Sequence, residues 1–359
     1  MSAARRVLAP FLLTRVLTAV VALVAVSFFP SPTTCPDLCH PSSNPLLDAA
    51  TRWDAGAYVA IAHDGYGAVP ANSAYFPLYP LLMRLIAAPL GGSDDSYLVA
   101  GLVISNLALL IALIYLARLV AIDHDVEAGS RAALYLLVFP TSVFLAVVYS
   151  ESLLIALSIG AVYYGRRGEW LPAAALASLA ALTKPVVGAA VALPIAIEAY
   201  QRSGLRAALA AAAAPVIALV GWLVVLWRVT GDPKAVLTAQ ANFGAGPSIP
   251  FQAFGDLLDP RVYGFPYVVL GLTLFIGALV LLSWRSLRPS LAAYATLVFL
   301  ISIATGSLTS APRYYLAAFP VFIVLAVAAR GWLNRAYVAV GAAMGAIFIA
   351  MYALWYWVA

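Results

Sequence analysis

Arg52, Asp54, His63 and Asp64 fall within the fifteen-residue stretch RWDAGAYVAIAHDGY, in a chain whose charged fraction is only 10%. A carboxylate set among aromatic and apolar neighbours is costly to leave unpaired, and such a carboxylate is a candidate general base. Asp54, in the aromatic-rich part of the stretch beside Trp53 and Tyr58, fits that description. The plainer reading of Asp54 is an acid that pairs with Arg52 or faces water. His63 and Asp64 read as solvated neighbours. Farther along, Glu151 in VYSESLL, Lys184 in ALTKPVVG and Arg313 in SAPRYYLAAFP stand at the ends of apolar segments. Ionisable residues there are functional candidates by default. Two cations and two acids on one face suit an anion and a hydroxyl. Lys and Arg together suit a phosphate, which Arg grips through two N–H groups. Against this, Lys184 and Arg313 would each be explained by snorkelling to lipid headgroups, and Glu151 by capping a helix or pairing with Lys184. Gln240 and Asn242, in LTAQANFG, are candidates for binding sugar hydroxyls.

The elements that position these residues follow from composition. The chain is 64% hydrophobic, with a mean hydropathy of +0.97. A soluble domain carries about 25% charged residues, so this chain is expected to be an integral membrane protein of helical spans. The apolar stretches are too long for the alternating pattern of an outer-membrane barrel. Eleven candidate spans run over 7–29, 97–121, 132–149, 151–165, 170–183, 185–200, 206–228, 265–284, 290–305, 313–329 and 334–357. The first is too long for a signal-peptide core and has no clean small-residue cleavage site after it, so it is read as a retained span.

With the N-terminus in the cytoplasm, one side gathers Arg5, Arg6, Arg118, Arg131, Arg166, Arg167, Arg202, Arg206, Arg285, Arg288, Arg330 and Arg335. The other holds Arg52, Arg84, Lys184, Arg228, Lys234, Arg261 and Arg313, with most of the acids. That asymmetry is the positive-inside pattern. It accounts for the net charge of +5, which therefore gives no argument for a nucleic-acid partner. Two long segments, 30–96 and 230–264, fall on the outer side and would carry the chemistry of a single transmembrane domain spanning 1–359 with no soluble domain. In the first, DAATRWDAGAYVAIAHDGYG is predicted to form an amphipathic surface helix. One stripe holds Ala50, Trp53, Ala57 and Ala60; an adjoining flank holds Asp54, Tyr58 and Ile61; Gly65 and Gly67 close it. Cys35 and Cys39, in CPDLC, are open to a disulfide or to remaining unpaired. With only His40 nearby they do not suit zinc.

In order along the chain, RWDAGAYVAIAHDGY, AYFPLYPLL, YSESLL, LTKPVVGAAVALP, AQANFG and APRYYLAAFPVFIVLA resemble the PIG-V family, the eukaryotic GPI mannosyltransferase II enzymes and their bacterial relatives. The resemblance covers residues from about 50 to about 330, and RWD…Y…GY…FPLYP is its most specific part. It implies the GT-C membrane glycosyltransferase fold, all-α and polytopic. It also implies transfer of a sugar, typically mannose, from a polyprenyl-phosphate carrier to a glycan or glycolipid acceptor outside the cytoplasm. Asp54 occupies the position expected of the base. Glu151 matches the acid of the family's SES/TES element, and Arg313 with Tyr314 matches its Pro-Arg-Tyr element. Lys184 stands where the family usually has Arg, which keeps the charge and loses the two-pronged grip. Arg52, Trp53, Tyr58, Glu151, Gln240 and Tyr314 are then expected to support substrate binding, and Arg313 and Lys184 to bind the donor phosphate.

Inverting chemistry needs a single carboxylate, since no covalent intermediate forms. No cofactor and no metal are required on this reading. The alanine-rich composition points to a bacterial plasma membrane. Three readings compete: the same fold using another polyprenyl-phosphate sugar, a non-catalytic partner subunit, and a lipid or sugar transporter. A transporter would need a polar path across the bilayer, and the opposite halves of the spans offer almost no ionisable residues.

Overall fold

The computed structural model describes residues 3–30, 42–241, 254, 265–304 and 308–358. Cys35, Cys39, His40 and Asn242 lie outside the described residues. The first helices are α1 (Ala3–Phe28), α2 (Pro45–Ala49), α3 (Asp54–Asp64), α4 (Leu78–Ala87), α5 (Asp94–Val120) and α6 (Val126–Leu137). Then come α7 (Glu151–Arg167), α8 (Trp170–Ala181), α9 (Pro185–Ala189), α10 (Ala192–Ser203), α11 (Leu205–Thr230) and α12 (Ala235–Ala241). The last are α13 (Pro266–Ser286), α14 (Pro289–Ile303), α15 (Ala311–Tyr314), α16 (Pro320–Ala328) and α17 (Trp332–Ala353).

Among the described residues, five helices are long and apolar enough to cross a membrane: α1, α5, α11, α13 and α17. A sixth crossing is formed if Ala311–Ala317 and Pro320–Ala328 count as one span bent by 77°. The segments expected to be straight spans over 132–149, 185–200 and 313–329 are therefore broken. Proline explains the breaks at Pro140 and Pro320, because it lacks the N–H and disfavours helix in the residue before it; the break in 185–200 falls at Ala190 and Val191, between α9 and α10. Phe139, before Pro140, is extended at φ −61°, ψ 138°, and a 3-10 turn Pro140–Leu145 follows. Lys184, before Pro185, is extended at φ −142°, ψ 129°.

By its contacts the chain divides into two compact units. The first comprises Met1–Gly65, Pro77–Leu153 and Ala329–Val358. In it α1 packs on α2, α5, α6 and α17, and α5 also packs on α4 and α6. Close approach of α5 and α6 depends on Gly129, where an added Cβ would lie 2.7 Å from the Ala117 carbonyl oxygen. Small residues of this kind let membrane helices meet backbone to backbone.

The second unit comprises Tyr66–Phe76 and Leu154–Ala328. Here α11 packs on α8 and α10, α13 packs on α14 and α16, and α9 lies on α8. Several cations read from sequence as topology anchors are built into this unit. Buried Glu198 pairs with Arg166 at 3.6 Å and Arg288 at 3.3 Å, and accepts from Ser290 Oγ at 2.6 Å.

Gly188 fixes how α9 meets α8. A Cβ there would be driven into the Ala180 carbonyl oxygen and stand 2.8 Å from the Ala181 nitrogen. Gly188→Ala is expected to destabilise the protein by about 1–3 kcal/mol and to lower its melting temperature in detergent. Gly221 on α11 has open space around it. Gly221→Ala is the control, expected to melt no lower than the parent protein because Ala is the better helix former. Equal melting of Gly188→Ala and the parent protein would show that the α8–α9 approach is not tight.

Candidate active site

The stretch around Asp54 does not form one continuous surface helix. It breaks between α2 and α3, and Trp53 takes a positive φ of 56°. That conformation is costly for a bulky residue, and strain of this sort persists only where the surroundings enforce it. The face that α3 buries carries Ala55, Tyr58, Ile61 and Ala62, which corrects the stripe drawn through Ala50, Trp53, Ala57 and Ala60. Trp53 is exposed and packs edge-to-face on Trp355 and Trp357, with ring centres 5.8 and 5.3 Å away. Gly65 closes α3 as expected, at φ 82°. Just before it, at the end of α3, exposed His63 and Asp64 meet each other at 2.6 Å.

Arg52 is 1% exposed and is wired into the first unit on every side. Nη2 donates to Asp48 Oδ2 at 2.8 Å, and Nη1 donates to the Asp48 carbonyl and to the Thr51 carbonyl. Nε donates to the Ala353 carbonyl at 3.0 Å. The guanidinium lies over the Trp355 ring, 4.8 Å from its centre. The Arg52 N–H donates to Tyr352 Oη at 3.1 Å, and the same hydroxyl donates to the Arg52 carbonyl at 3.3 Å. The ionic partner of Arg52 is thus Asp48, which sequence reading passed over.

This frame places Asp54 as the first residue of α3 and half-buried. An acid suits the first turn, where the unbonded N–H groups carry partial positive charge. The Asp54 N–H donates to Tyr149 Oη at 3.2 Å. One turn later Tyr58 Oη meets Ser150 Oγ at 2.8 Å. Tyr149, Ser150 and Glu151 are consecutive, so a single segment holds α3 at two points and then presents Glu151, 2% exposed, at the start of α7. Tyr79 supports that segment from behind. Its hydroxyl donates to the Gly101 carbonyl at 3.0 Å and meets Ser105 Oγ at 2.8 Å, and Ser105 in turn donates to the Tyr149 carbonyl at 3.0 Å. Tyr58 packs edge-to-face on Tyr79 with centres 4.9 Å apart. Sequence reading singled out Asp54, Tyr58 and Glu151 but gave no role to Tyr79, Tyr149 or Ser150. The available signal was the tyrosine of FPLYP and the residues flanking the acid of YSES.

In the second unit the two expected phosphate ligands converge. Lys184 Nζ lies over the Tyr314 ring at 4.7 Å, and Arg313 Cζ lies over the same ring at 5.2 Å. Arg313 is 8% exposed, and its Nη2 reaches Tyr314 Oη at 3.5 Å. It belongs to the bent pair α15 and α16, where irregular backbone is tolerated at membrane depth only if protein or a water-filled cavity surrounds it. Next along, Tyr315 Oη meets Thr273 Oγ1 at 2.8 Å and its ring stacks on Phe299. Gln240 is half-buried on α12, which packs against the 3-10 turn Pro70–Ala74. Among the described residues no three His, Cys, Asp or Glu side chains gather.

The all-α arrangement matches membrane glycosyltransferases of the GT-C fold. ArnT of Cupriavidus metallidurans, bound to undecaprenyl phosphate, aligns with a TM-score of 0.53 and 14% identity over 96% of this chain and 76% of that one. The apo oligosaccharyltransferase of Archaeoglobus fulgidus aligns with a TM-score of 0.51 and 13% identity over 96% and 56%. At such identities the likeness is one of fold alone. Residues 5–191 match the family described as Mannosyltransferase (PIG-V), and the chain belongs to that family. It is 33% identical over 162 residues to GPI alpha-1,6-mannosyltransferase 2 of Mus musculus and 34% identical over 143 residues to that of Rattus norvegicus. These alignments take in 41% and 38% of this chain and 32% and 29% of the rodent proteins. The match thus spans about a third of the length of the curated relatives.

Proposed function

We propose that the protein is an inverting mannosyltransferase that moves mannose from a polyprenyl-phosphate carrier to a glycan or glycolipid acceptor outside the cytoplasm. The observation that carries this reading is the setting of Asp54: a half-buried carboxylate opening α3, beside a backbone N–H tied to Tyr149 Oη, in a chain of the PIG-V family. Asp54 takes the proton of the acceptor hydroxyl. The oxygen attacks the anomeric carbon of a β-linked mannosyl phosphate as the bond to the phosphate oxygen breaks. Polyprenyl phosphate departs with the electron pair from the opposite face, and an α-mannoside results. One carboxylate suffices for inversion. The leaving phosphate needs no general acid, because cations stabilise its developing charge. Lys184 and Arg313, gathered on Tyr314, suit that role. The carrier favoured here agrees in kind with the undecaprenyl phosphate bound by ArnT. On this reading the N-terminus is cytoplasmic and the chemistry lies at the far surface of a bacterial plasma membrane.

The test uses membranes containing the protein and radiolabelled polyprenyl-phosphate-mannose. Label is expected to move to a second lipid or glycan in the form of an α-mannosidase-sensitive residue. Label that stays entirely in the donor would overturn the proposal. Transfer from polyprenyl-phosphate-glucose or arabinose in place of mannose would reassign the sugar.

The phosphate role makes a separate prediction. Arg313→Ala is expected to raise the donor KM, since a charge-assisted hydrogen bond to a charged group contributes about 1.5–3 kcal/mol, roughly ten- to hundredfold. Lys184→Ala is expected to do the same to a smaller degree, because an ammonium is a point charge without the paired donors of a guanidinium. Titration of the donor at fixed acceptor reads both, and an unchanged donor KM in Arg313→Ala would remove it as a phosphate ligand.

A further inference from the structure

Arg15 belongs to neither group of topology cations. It stands inside α1, ten residues beyond Arg5 in an otherwise apolar span. Its guanidinium leans back toward the helix N-terminus, the direction long side chains take on a helix, with Cζ 5.7 Å from the centre of the Phe11 ring. Nη2 touches Thr14 Oγ1 at 3.5 Å, the outer limit of a hydrogen bond. Nε and Nη1 are buried and have no hydrogen-bond partner among the described residues. Two buried cationic donors with nothing to hold are expensive in a membrane interior. Arg15 also borders a cavity of about 570 Å³ that lies wholly within the first unit.

The cavity has the dimensions of a lipid chain. Its walls are mostly apolar, with Phe11, Ala19 and Ala22 of α1 facing Leu47 of α2, Leu102 of α5 and Val147. From Phe11 to Ala22 is about 16 Å along a helix rising ~1.5 Å per residue. Half of an apolar bilayer core is about 15 Å, so the cavity is as deep as one leaflet. Only 11% of the apolar window of α1 is buried, so the helix lies at the periphery, where lipid arrives from the side. At the far end of the cavity Ala22 and Ala25 pack against Ala49 of α2, on the way to Asp54.

We propose that this cavity holds one acyl chain of an anionic phospholipid, with the lipid phosphate on Arg15 Nε and Nη1 and the chain running beneath α2. The head lies near the middle of α1, about 20 Å of helix before Phe28. The inference stands whether or not the protein transfers mannose. Its tail would buttress Ala50, whose carbonyl accepts the Val148 N–H at 3.3 Å just ahead of Tyr149.

The experiment is native mass spectrometry on the delipidated full chain in detergent. It is titrated with phosphatidylglycerol, with diacylglycerol of the same chains, and with inorganic phosphate. One phosphatidylglycerol is expected to be retained, roughly tenfold more tightly than diacylglycerol, the advantage of a hydrogen-bonded charge. Arg15→Gln is expected to reduce phosphatidylglycerol retention to the diacylglycerol level. Ala19→Phe, which fills the cavity and keeps Arg15, is expected to lose both lipids and serves if Arg15→Gln fails to fold. Equal retention of the two lipids, undiminished phosphatidylglycerol in Arg15→Gln or in Ala19→Phe, or displacement of the lipid by inorganic phosphate alone would each overturn the proposal.

Discussion

Asp54→Asn is expected to cost mannosyl transfer a factor of about 10²–10⁴ in kcat, the usual contribution of a positioned general base. The substitution keeps the side-chain volume and leaves the backbone N–H that donates to Tyr149 Oη in place. It removes the capacity to accept a proton and little else. The melting temperature should therefore stay within a degree or two of the parent protein while transfer falls. The donor KM should hardly change, because in the proposed mechanism the residue acts on the acceptor hydroxyl. Transfer at more than a tenth of the parental rate in a folded Asp54→Asn protein would remove Asp54 as the base and direct attention to Glu151, the buried acid that follows Tyr149 and Ser150.

Arg52→Ala is expected to act through stability. Its guanidinium is the partner of Asp48, whose side chain is 11% exposed against 1% for Arg52. Removing one member of a buried pair leaves the other charged in an apolar setting, at a cost of about 3–5 kcal/mol. The donors to the Thr51 and Ala353 carbonyls vanish with it. Arg52→Lys should recover part of this loss, because it keeps a charge but not the planar fork that serves several carbonyls at once. Thermal unfolding in detergent reads the order: parent highest, Lys between, Ala lowest. An Ala variant as stable as the parent would sink the structural role and leave Arg52 available to substrate. Asp54→Asn and Arg52→Ala thus separate two residues that stand two positions apart in the sequence, one expected to change rate and the other stability.

What could be read from sequence was what depends on residue type and local spacing. The long uninterrupted spans came out close to their real limits: 97–121 was expected and Asp94–Val120 is found, 206–228 was expected and Leu205–Thr230 is found. Hydrophobic length alone dictates those helices. Lys184 and Arg313 were expected to act together, and they meet on one tyrosine ring. The misses share a cause. The break before α3 and the positive φ of Trp53 are imposed by partners distant in sequence, Tyr149 and Tyr352, and no window of neighbouring residues contains them. Tyr79 and Ser105 were overlooked because hydroxyls in apolar segments look like ordinary core residues until their partners are known. Short prolines told where segments would break, but hydropathy outweighed them in setting the length of the middle spans.

The hydrogen bond from Arg52 to the Ala353 carbonyl joins positions 301 residues apart. At a synthesis rate of roughly 5–20 residues per second, the ribosome needs about 15–60 s to travel between them. Contacts of such long range must wait for loop closure and order late. During that interval the segment carrying Asp54 lacks Tyr352 and Ala353, the partners that fix its entry into α3. The Asp54 carboxylate is therefore set in place only after α17 has been made, when the spans before it have already left the ribosome.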